Sequence, residues 1–151
     1  MLRRCIQNGF FGFNTNDHTA TIWDDGNHYF SATTRAAIGT SVARVLAKPE
    51  ETANRSVFIS SFEVIMNEIF SAMKKATGVS DWTVTNVNTD DMVAEGSKEW
   101  AMGNMFGMAK LALASQLRPE YGNNFKELGK LDNELLGIEP EDLNAAVVQA
   151  L

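Results

Sequence analysis

The sequence has little of what disulfide-stapled and metal-binding proteins need. Its 151 residues include one cysteine, Cys5, and two histidines, His18 and His28, while 44% are hydrophobic and 21% charged. A lone cysteine cannot form an internal disulfide, and two histidines ten residues apart do not supply the three or four closely spaced ligands of a typical zinc site. A chain of this length and composition is expected to bury one ordinary globular core, with no metal ligands and no disulfide.

No hydrophobic run is long enough for a secretory signal or a membrane span. Arg3 and Arg4 are not followed by the apolar stretch of about 7–15 residues that a signal peptide needs. The most apolar segment, residues 101–117, is interrupted by glycine, asparagine, lysine, serine and glutamine, and it falls short of about 20 apolar residues. We therefore expect a soluble, cytoplasmic protein with no membrane partner.

Positive charge is scarce in the second half of the chain. Residues 76–151 carry five Lys or Arg against twelve Asp or Glu, whereas residues 1–75 carry eight against seven. The acidic half repels the phosphate backbone of nucleic acids, so we expect no nucleic-acid partner there. A basic protein surface is the macromolecular partner that this charge favours.

The sequence lacks the motifs of common enzyme classes. It has no G-x-S-x-G elbow and no phosphate-binding GK[ST] loop. Gly9 and Gly12 lack the third glycine and the following helix of a dinucleotide fingerprint. Tyr121 and Lys126 are five residues apart, so a helix would not bring them to one face. We therefore predict no catalytic residue, no cofactor-binding residue and no metal ligand.

Strand and helix patterns alternate along the first 88 residues. Period-two or β-branched runs predict strands at about 20–23, 56–60 and 82–87. Thr33 or Thr34 is the expected cap of a first helix. The inward residues predicted for that helix are Ile38, Val42, Val45 and Leu46. Those predicted for the second helix, which Ser61 would cap, are Ile65, Met66, Ile69 and Met73. This alternation, followed by helices from Thr89 onward, is typical of an α/β fold.

Two groups of large apolar residues permit two interpretations. Phe10, Phe11 and Phe13 stand beside glycines, and Met105 and Phe106 belong to a methionine-rich helical segment. Core filling is the simpler interpretation, because aromatic and methionine side chains fill irregular gaps. The alternative is an apolar pocket for a flat ligand. Gly103 and Gly107 of the same segment indicate close helix packing.

Six short motifs follow one another in order between residues 19 and 78. They read TATIWDDGN (19–27), AIG (37–39), KPEETANR (48–55), VFIS (57–60), NEI (67–69) and TG (77–78). Together they resemble the NmrA-like, isoflavone-reductase-like family of atypical short-chain dehydrogenases, and its fungal members in particular. The similarity covers residues 9–88 and continues loosely to the C-terminus.

The resemblance implies an α/β fold that is the C-terminal part of a Rossmann-type NAD(P)-binding fold with a mostly helical substrate lobe. Residues 1–151 would form a single partial domain, with late Rossmann elements over about 19–88 and the lobe over about 89–151. The family's first strand, glycine-rich loop and proton-relay lysine would precede the matched segment. The N-terminal dinucleotide half is therefore missing from the expected fold, and the family's cofactor residues have no counterparts here.

The resemblance also implies a function. The intact relative would use NADP or NAD and transfer a hydride to a small aromatic or unsaturated substrate. The turn at Asp25 to Asn27 resembles one that leads towards the family's active-site cleft. The substrate-binding residues implied by the placement of the lobe are Phe10, Phe11, Phe13, Met105 and Phe106.

We expect this chain by itself to be inactive and to bind no dinucleotide. Some members of the family act as redox-sensing regulators, so the alternative is a non-enzymatic regulator or protein-interaction module. A third reading is a truncated, nonfunctional gene product. Without the missing half, a sheet edge and an apolar face would be uncovered and would favour pairing with another chain.

Overall fold

The strands of this chain form two small sheets. The computed structural model describes residues 12–151. The strands are β1 (Phe13–Asn14), β2 (Thr19–Trp23), β3 (Phe30–Ala32), β4 (Phe62–Val64) and β5 (Thr83–Val87). In the first sheet the order is β1-β2-β5, with β1 antiparallel and β5 parallel to β2. The second sheet is an antiparallel ribbon of β3 and β4. It lies within the long crossover that joins the parallel pair, as parallel strands require.

Helices follow and separate these strands. They are α1 (Arg35–Ala47), α2 (Pro49–Thr52), α3 (Met66–Thr77), α4 (Thr89–Ala101), α5 (Met105–Leu117), α6 (Asn133–Leu136) and α7 (Leu143–Ala150), with a 3₁₀ turn at Pro119–Tyr121. The predicted mixture of helices and strands is confirmed. Within residues 12–151, no helix has both the length and the apolar character needed to cross a membrane.

Two of the three predicted strands are confirmed, and the third is wrong. Strands form where the sequence predicts them at about 20–23 and 82–87. Over 56–60 only Phe58 makes an isolated bridge, because side chains take the local backbone hydrogen bonds. The Phe58 N–H donates to the Asp132 carboxylate at 2.9 Å, and the Ser60 N–H donates to Asn133 Oδ1 at 3.0 Å. The strand forms slightly later, as β4.

The predicted cap of the second helix is also wrong. Ser61 lies before β4, and its hydroxyl donates to Glu141 and accepts from the Thr34 N–H. The helix, α3, begins at Met66 with Ile65 as its N-cap. It ends at Thr77, and the residue that caps it, Gly78, has a φ of 69°, the left-handed conformation expected there.

The core lies around α3, which packs against α7 and β2. Met66, Ile69 and Met73 are buried as the helical spacing predicts. Phe13 is fully buried and stacks on Phe70, with the ring centroids 5.9 Å apart. Burial of each such side chain contributes about 1.5–3 kcal/mol, so this cluster is the main source of stability around the first sheet.

The predicted inner face of α1 is wrong for three of its four residues, and only Val45 is partly buried. Thr34 does cap the helix, since its hydroxyl accepts from the Ala37 N–H at 3.1 Å. However, Ile38, Val42 and Leu46 are 40%, 56% and 76% exposed. The helix is held through small residues and through cations near its end, because Arg44 and Lys48 donate to carbonyl oxygens of residues 135–137. We call the three exposed side chains the α1 stripe.

Helices α4 and α5 form a close hairpin. A Cβ atom on Gly107 would lie 2.5 Å from the Trp100 backbone nitrogen and nearer still to the carbonyl oxygen of Gly96. Only glycine permits this approach, which confirms the close packing predicted for Gly107. Gly103 instead lies in the turn between the helices, with a φ of 78°. Lys110 joins the two helices by ion pairs at 2.8 Å to glutamates of α4.

Candidate functional site

The turn after β2 closes the carboxyl end of the parallel strand pair. Asp24 adopts a positive φ of 53°, and its N–H donates to the Val87 carbonyl at 2.8 Å. Its carboxylate accepts from the backbone N–H and the hydroxyl of Thr89, at 2.9 and 2.7 Å. A carboxylate at the N-terminus of α4 also complements the helix dipole. Asp24 therefore joins β2 to α4, and its carboxylate is occupied by the protein.

The next residues of this turn are fixed on α3. The Asn67 side-chain amide donates to the Asp25 carbonyl at 3.0 Å and to Asn27 Oδ1 at 2.8 Å. Gly26 has a φ of 70°, and a Cβ there would lie 2.8 Å from Asn67 Oδ1. Hydrogen bonds from Asn27 lower the pKa of Asp25, with a smaller contribution from His28. This turn is the one that the family resemblance associates with an active-site cleft.

A pocket of about 380 Å³ lies directly beyond this turn. His28 and Tyr29 line one side, and residues 119, 122, 124, 127 and 128 line the other. Glu120 lies at the edge of this pocket. Hydrogen bonds from the Glu120 backbone N–H and from Arg118 lower the pKa of its carboxyl group, and the charge of His28 contributes a smaller part. The His28 pocket therefore places an imidazole and a phenol near carboxylates at the end of β2.

A larger cleft of about 760 Å³ lies beside β4. We call it the ribbon cleft, and it is lined by residues 60–64, 68, 126, 131, 133–134, 137–141 and 143. Phe62, Val64 and Ile138 are buried and give it an apolar floor. A volume of this size lies within the range of about 300–1,000 Å³ that is typical of small-molecule sites.

Hydrogen bonds across the chain fix the walls of the ribbon cleft. Ser60 and Asn133 bond to each other twice, at 3.0 and 2.7 Å. Glu141 Oε1 accepts from the hydroxyls of Ser61 and Thr34, each at 2.6 Å. These contacts join residues 73 to 107 positions apart in the sequence, so the cleft exists only in the folded chain.

The charges of the ribbon cleft are mostly negative. Its lining contains five glutamates, Glu63, Glu68, Glu134, Glu139 and Glu141, and one cation, Lys126. Within the described chain, none of these carboxylates forms an ion pair. The carboxylates of Glu134 and Glu139 accept no hydrogen bond from any described side chain or backbone group. The cleft is therefore an apolar hollow whose rim carries a net negative charge.

The structure does not bring the sequence-predicted substrate residues together in either cavity. Phe10 and Phe11 lie outside the described residues. Phe13 is part of the core, whereas Met105 and Phe106, on the first turn of α5, are 70% and 76% exposed. The lining of the ribbon cleft and that of the His28 pocket include none of the last three. Their contact with a substrate stays a prediction.

Sequence reasoning missed the ribbon cleft because no local pattern marks it. Its carboxylates come from segments around 63–68 and 134–141 that are far apart in the chain. In residues 12–151, no group of three or more histidine, cysteine, aspartate or glutamate side chains is arranged to hold a metal ion. The groups that the ribbon cleft and the His28 pocket present to a ligand are therefore hydrogen-bonding, acid–base and charged side chains of this chain.

The chain is similar to fungal proteins that carry the name oxidoreductase. It is 29% identical over 150 residues to oxidoreductase aprR of Aspergillus flavus, which covers 99% of this chain and 50% of that relative. It is 30% identical over 149 residues to oxidoreductase poxI of Penicillium oxalicum, covering 93% of this chain and 45% of that relative. No protein-family model and no solved structure matches. The chain thus spans about half the length of the curated relatives it matches.

Proposed function

We propose that this chain is the substrate-binding half of an NmrA-like, NAD(P)-dependent oxidoreductase. In the intact protein the reaction is hydride transfer to a small aromatic or unsaturated substrate. The observation that carries this proposal is the match of nearly the whole chain to about half of each fungal oxidoreductase. On this reading, residues 19–88 are late elements of a Rossmann sheet, and residues 89–151 belong to a mostly helical substrate lobe.

The open surfaces of the first sheet support this proposal. Parallel strands normally lie in sheets that are covered on both faces. Here residues 83–86 of β5 are exposed, and no further described strand pairs with its outer edge. The α1 stripe is exposed as well. A second half of similar length would supply the apolar cover that these surfaces lack.

The dinucleotide, NADP or NAD, is then held by residues that this chain does not contain. Gly12 is the described glycine that belongs to the incomplete Gly9–Gly12 pattern. The space beside its Cα atom is filled by other residues of the chain. A Cβ there would lie 2.7 Å from the Trp23 ring and 2.8 Å from the Thr21 carbonyl oxygen. Gly12 thus lies against β2, where its carbonyl oxygen accepts from the Thr21 N–H at 2.8 Å, so the protein itself occupies this approach. We propose that the chain alone binds no dinucleotide and has no reductase activity.

Thermal unfolding of the purified chain, with and without NADPH, tests the cofactor part of this proposal. A ligand at about 100 times its Kd stabilises the native state by about 2.7 kcal/mol, which raises the Tm of a chain of this size by roughly 5–11 °C. We expect a cooperative transition that millimolar NADPH does not move. A rise of the calculated size would show that a dinucleotide site lies within this chain and would refute the proposal.

The α1 stripe favours a second candidate, a non-enzymatic protein-interaction module. Its three apolar side chains share one helix face and are exposed. Capture of a specific partner from the source organism's extract, abolished by Val42→Glu in a chain that still unfolds cooperatively, would favour the module. Capture that is lost only at high salt would point to the acidic second half as the binding surface.

A further inference from the structure

We propose that the ribbon cleft binds a small organic cation, a molecule with a protonated amine next to an apolar or aromatic body. The inference rests on the proposed function in treating this chain as a substrate-binding half. The binding itself requires only residues of this chain. It needs no dinucleotide, so it is tested separately.

The apolar floor determines the body of the ligand. Phe62, Val64 and Ile138 are buried at the base of the cleft, and Leu131 and Leu143 also line it. A hollow of about 760 Å³ with such walls favours a molecule with several carbon atoms or an aromatic ring. A bare inorganic cation would leave this floor in contact with water.

The net negative charge of the rim determines the charge of the ligand. Five carboxylates elsewhere in the described chain form ion pairs, for example Asp132 with Arg55 at 2.8 Å, whereas none of the five in the lining does. Glu134 and Glu139 have no such partner within residues 12–151, and Lys126 is the single cation of the lining. Several like charges around one low-dielectric hollow produce a negative potential that attracts a cation and repels an anion.

One carboxylate of the lining is held in place by the protein with one oxygen left unbonded. Both hydrogen bonds that Glu141 accepts, from Thr34 and from Ser61, end on its Oε1 atom. Its Oε2 atom accepts none from the described residues, so the side chain is held in place with one oxygen available. A carboxylate fixed in this way loses little conformational freedom when an N–H donor binds to it. Glu141 is therefore the residue that we expect to contact the amine.

Binding of three matched probes to the ¹⁵N-labelled chain tests the proposal. The probes are 2-phenylethylamine, which is cationic, 2-phenylethanol, which is neutral, and 3-phenylpropionate, which is anionic. We expect the amine to shift the amide resonances of residues 60–64 and 137–141, the alcohol to bind at least about fivefold more weakly, and the anion not to bind there. Equal affinities for the amine and the alcohol, or amine shifts confined to other residues, would refute the proposal.

Charge-removing variants locate the effect. Glu134→Gln and Glu139→Gln break no described hydrogen bond, so we expect both to fold normally. Each should weaken the amine about two- to fivefold and leave the alcohol unchanged. The matched control is Glu50→Gln, an exposed glutamate of α2 outside the cleft, which should alter neither. An equal loss in the control would show that only the overall charge matters and would refute a specific site.

The failures of the two proposals are distinguishable. A chain whose Tm rises with NADPH contradicts the proposed function, whatever the cleft binds. A chain whose Tm is indifferent to NADPH and whose cleft resonances are indifferent to 2-phenylethylamine contradicts only the ligand assigned here. Where the amine does bind, its affinity should fall with added salt, because the attraction of the negative rim is screened.

Discussion

Replacement of Gly107 by alanine tests the account of the α4–α5 hairpin most directly. In an exposed helix, alanine is more favourable than glycine by about 1 kcal/mol, so helix propensity alone predicts a more stable protein. Here the added methyl group would meet backbone atoms, at 2.5 Å from the Trp100 nitrogen and closer to the Gly96 oxygen, and it would lie 2.9 Å from Glu99 Cβ. Backbone atoms cannot rotate away as a side chain can, so the two helices must move apart.

The expected magnitude follows from these distances. Overpacking of this kind costs typically 1–3 kcal/mol and here exceeds the gain in propensity. We expect the free energy of unfolding of Gly107→Ala to fall by about 1–3 kcal/mol, which corresponds to a Tm lower by roughly 2–12 °C. Thermal unfolding followed by circular dichroism at 222 nm measures this change.

A second glycine provides the control. Gly39 lies within α1, and a Cβ there would meet nothing within 4 Å. Gly39→Ala should therefore raise the free energy of unfolding by about 0.5–1 kcal/mol. A Gly107→Ala variant as stable as the Gly39→Ala variant would refute the packing of the hairpin described above.

Three further predictions concern single contacts. The hydrogen bond from the Arg55 guanidinium lowers the pKa of Asp132, so near that pKa the folded chain binds fewer protons than the unfolded one. The stability lost in Asp132→Asn, measured by urea unfolding across pH, should therefore be largest at neutral pH, begin to shrink near pH 4 and be smallest once the pH is below the lowered pKa of the folded state. Ile69→Ala should lower the free energy of unfolding by about 2–5 kcal/mol, because Ile69 is fully buried. Leu46→Lys should change it by less than about 0.5 kcal/mol, and an equal effect of the two substitutions would contradict the exposure of the α1 stripe. Thr89→Val removes the hydrogen bond from the Thr89 hydroxyl to the Asp24 carboxylate and should lower the free energy of unfolding, measured by chemical denaturation, by about 1–3 kcal/mol. No change would show that this carboxylate is not held by Thr89.

Local patterns predicted those elements whose physical causes are local. Strand β5 follows from period-two alternation, the start of α1 from the Thr34 cap, and the buried face of α3 from Ile69 and Met73 at helical spacing. Each of these depends on residues a few positions apart. Short-range chemistry is therefore sufficient for them.

The failures depend on partners far away in the sequence. The expected strand at 56–60 does not form, because its backbone N–H groups donate to the side chains of Asp132 and Asn133 instead of to another strand. These partners lie more than 70 positions later in the sequence. The spacing of Ile38 and Val42 shows that they share a helix face, but periodicity carries no information about what covers that face. The ribbon cleft could not be predicted from the sequence for the same reason, because its glutamates meet only after residues 126–143 fold back on β4.

The long crossover between the parallel strands has a consequence for the order of folding. Each register pair of β2 and β5, from Thr19 with Thr83 to Trp23 with Val87, joins residues 64 positions apart. Helices α4 and α5 are instead sequence neighbours joined by a short turn. Chain closure over long loops slows folding, so the hairpin should form early and the parallel pair late. During synthesis on the ribosome, the edge of β2 that pairs with β5 therefore stays unpaired until more than sixty further residues have emerged.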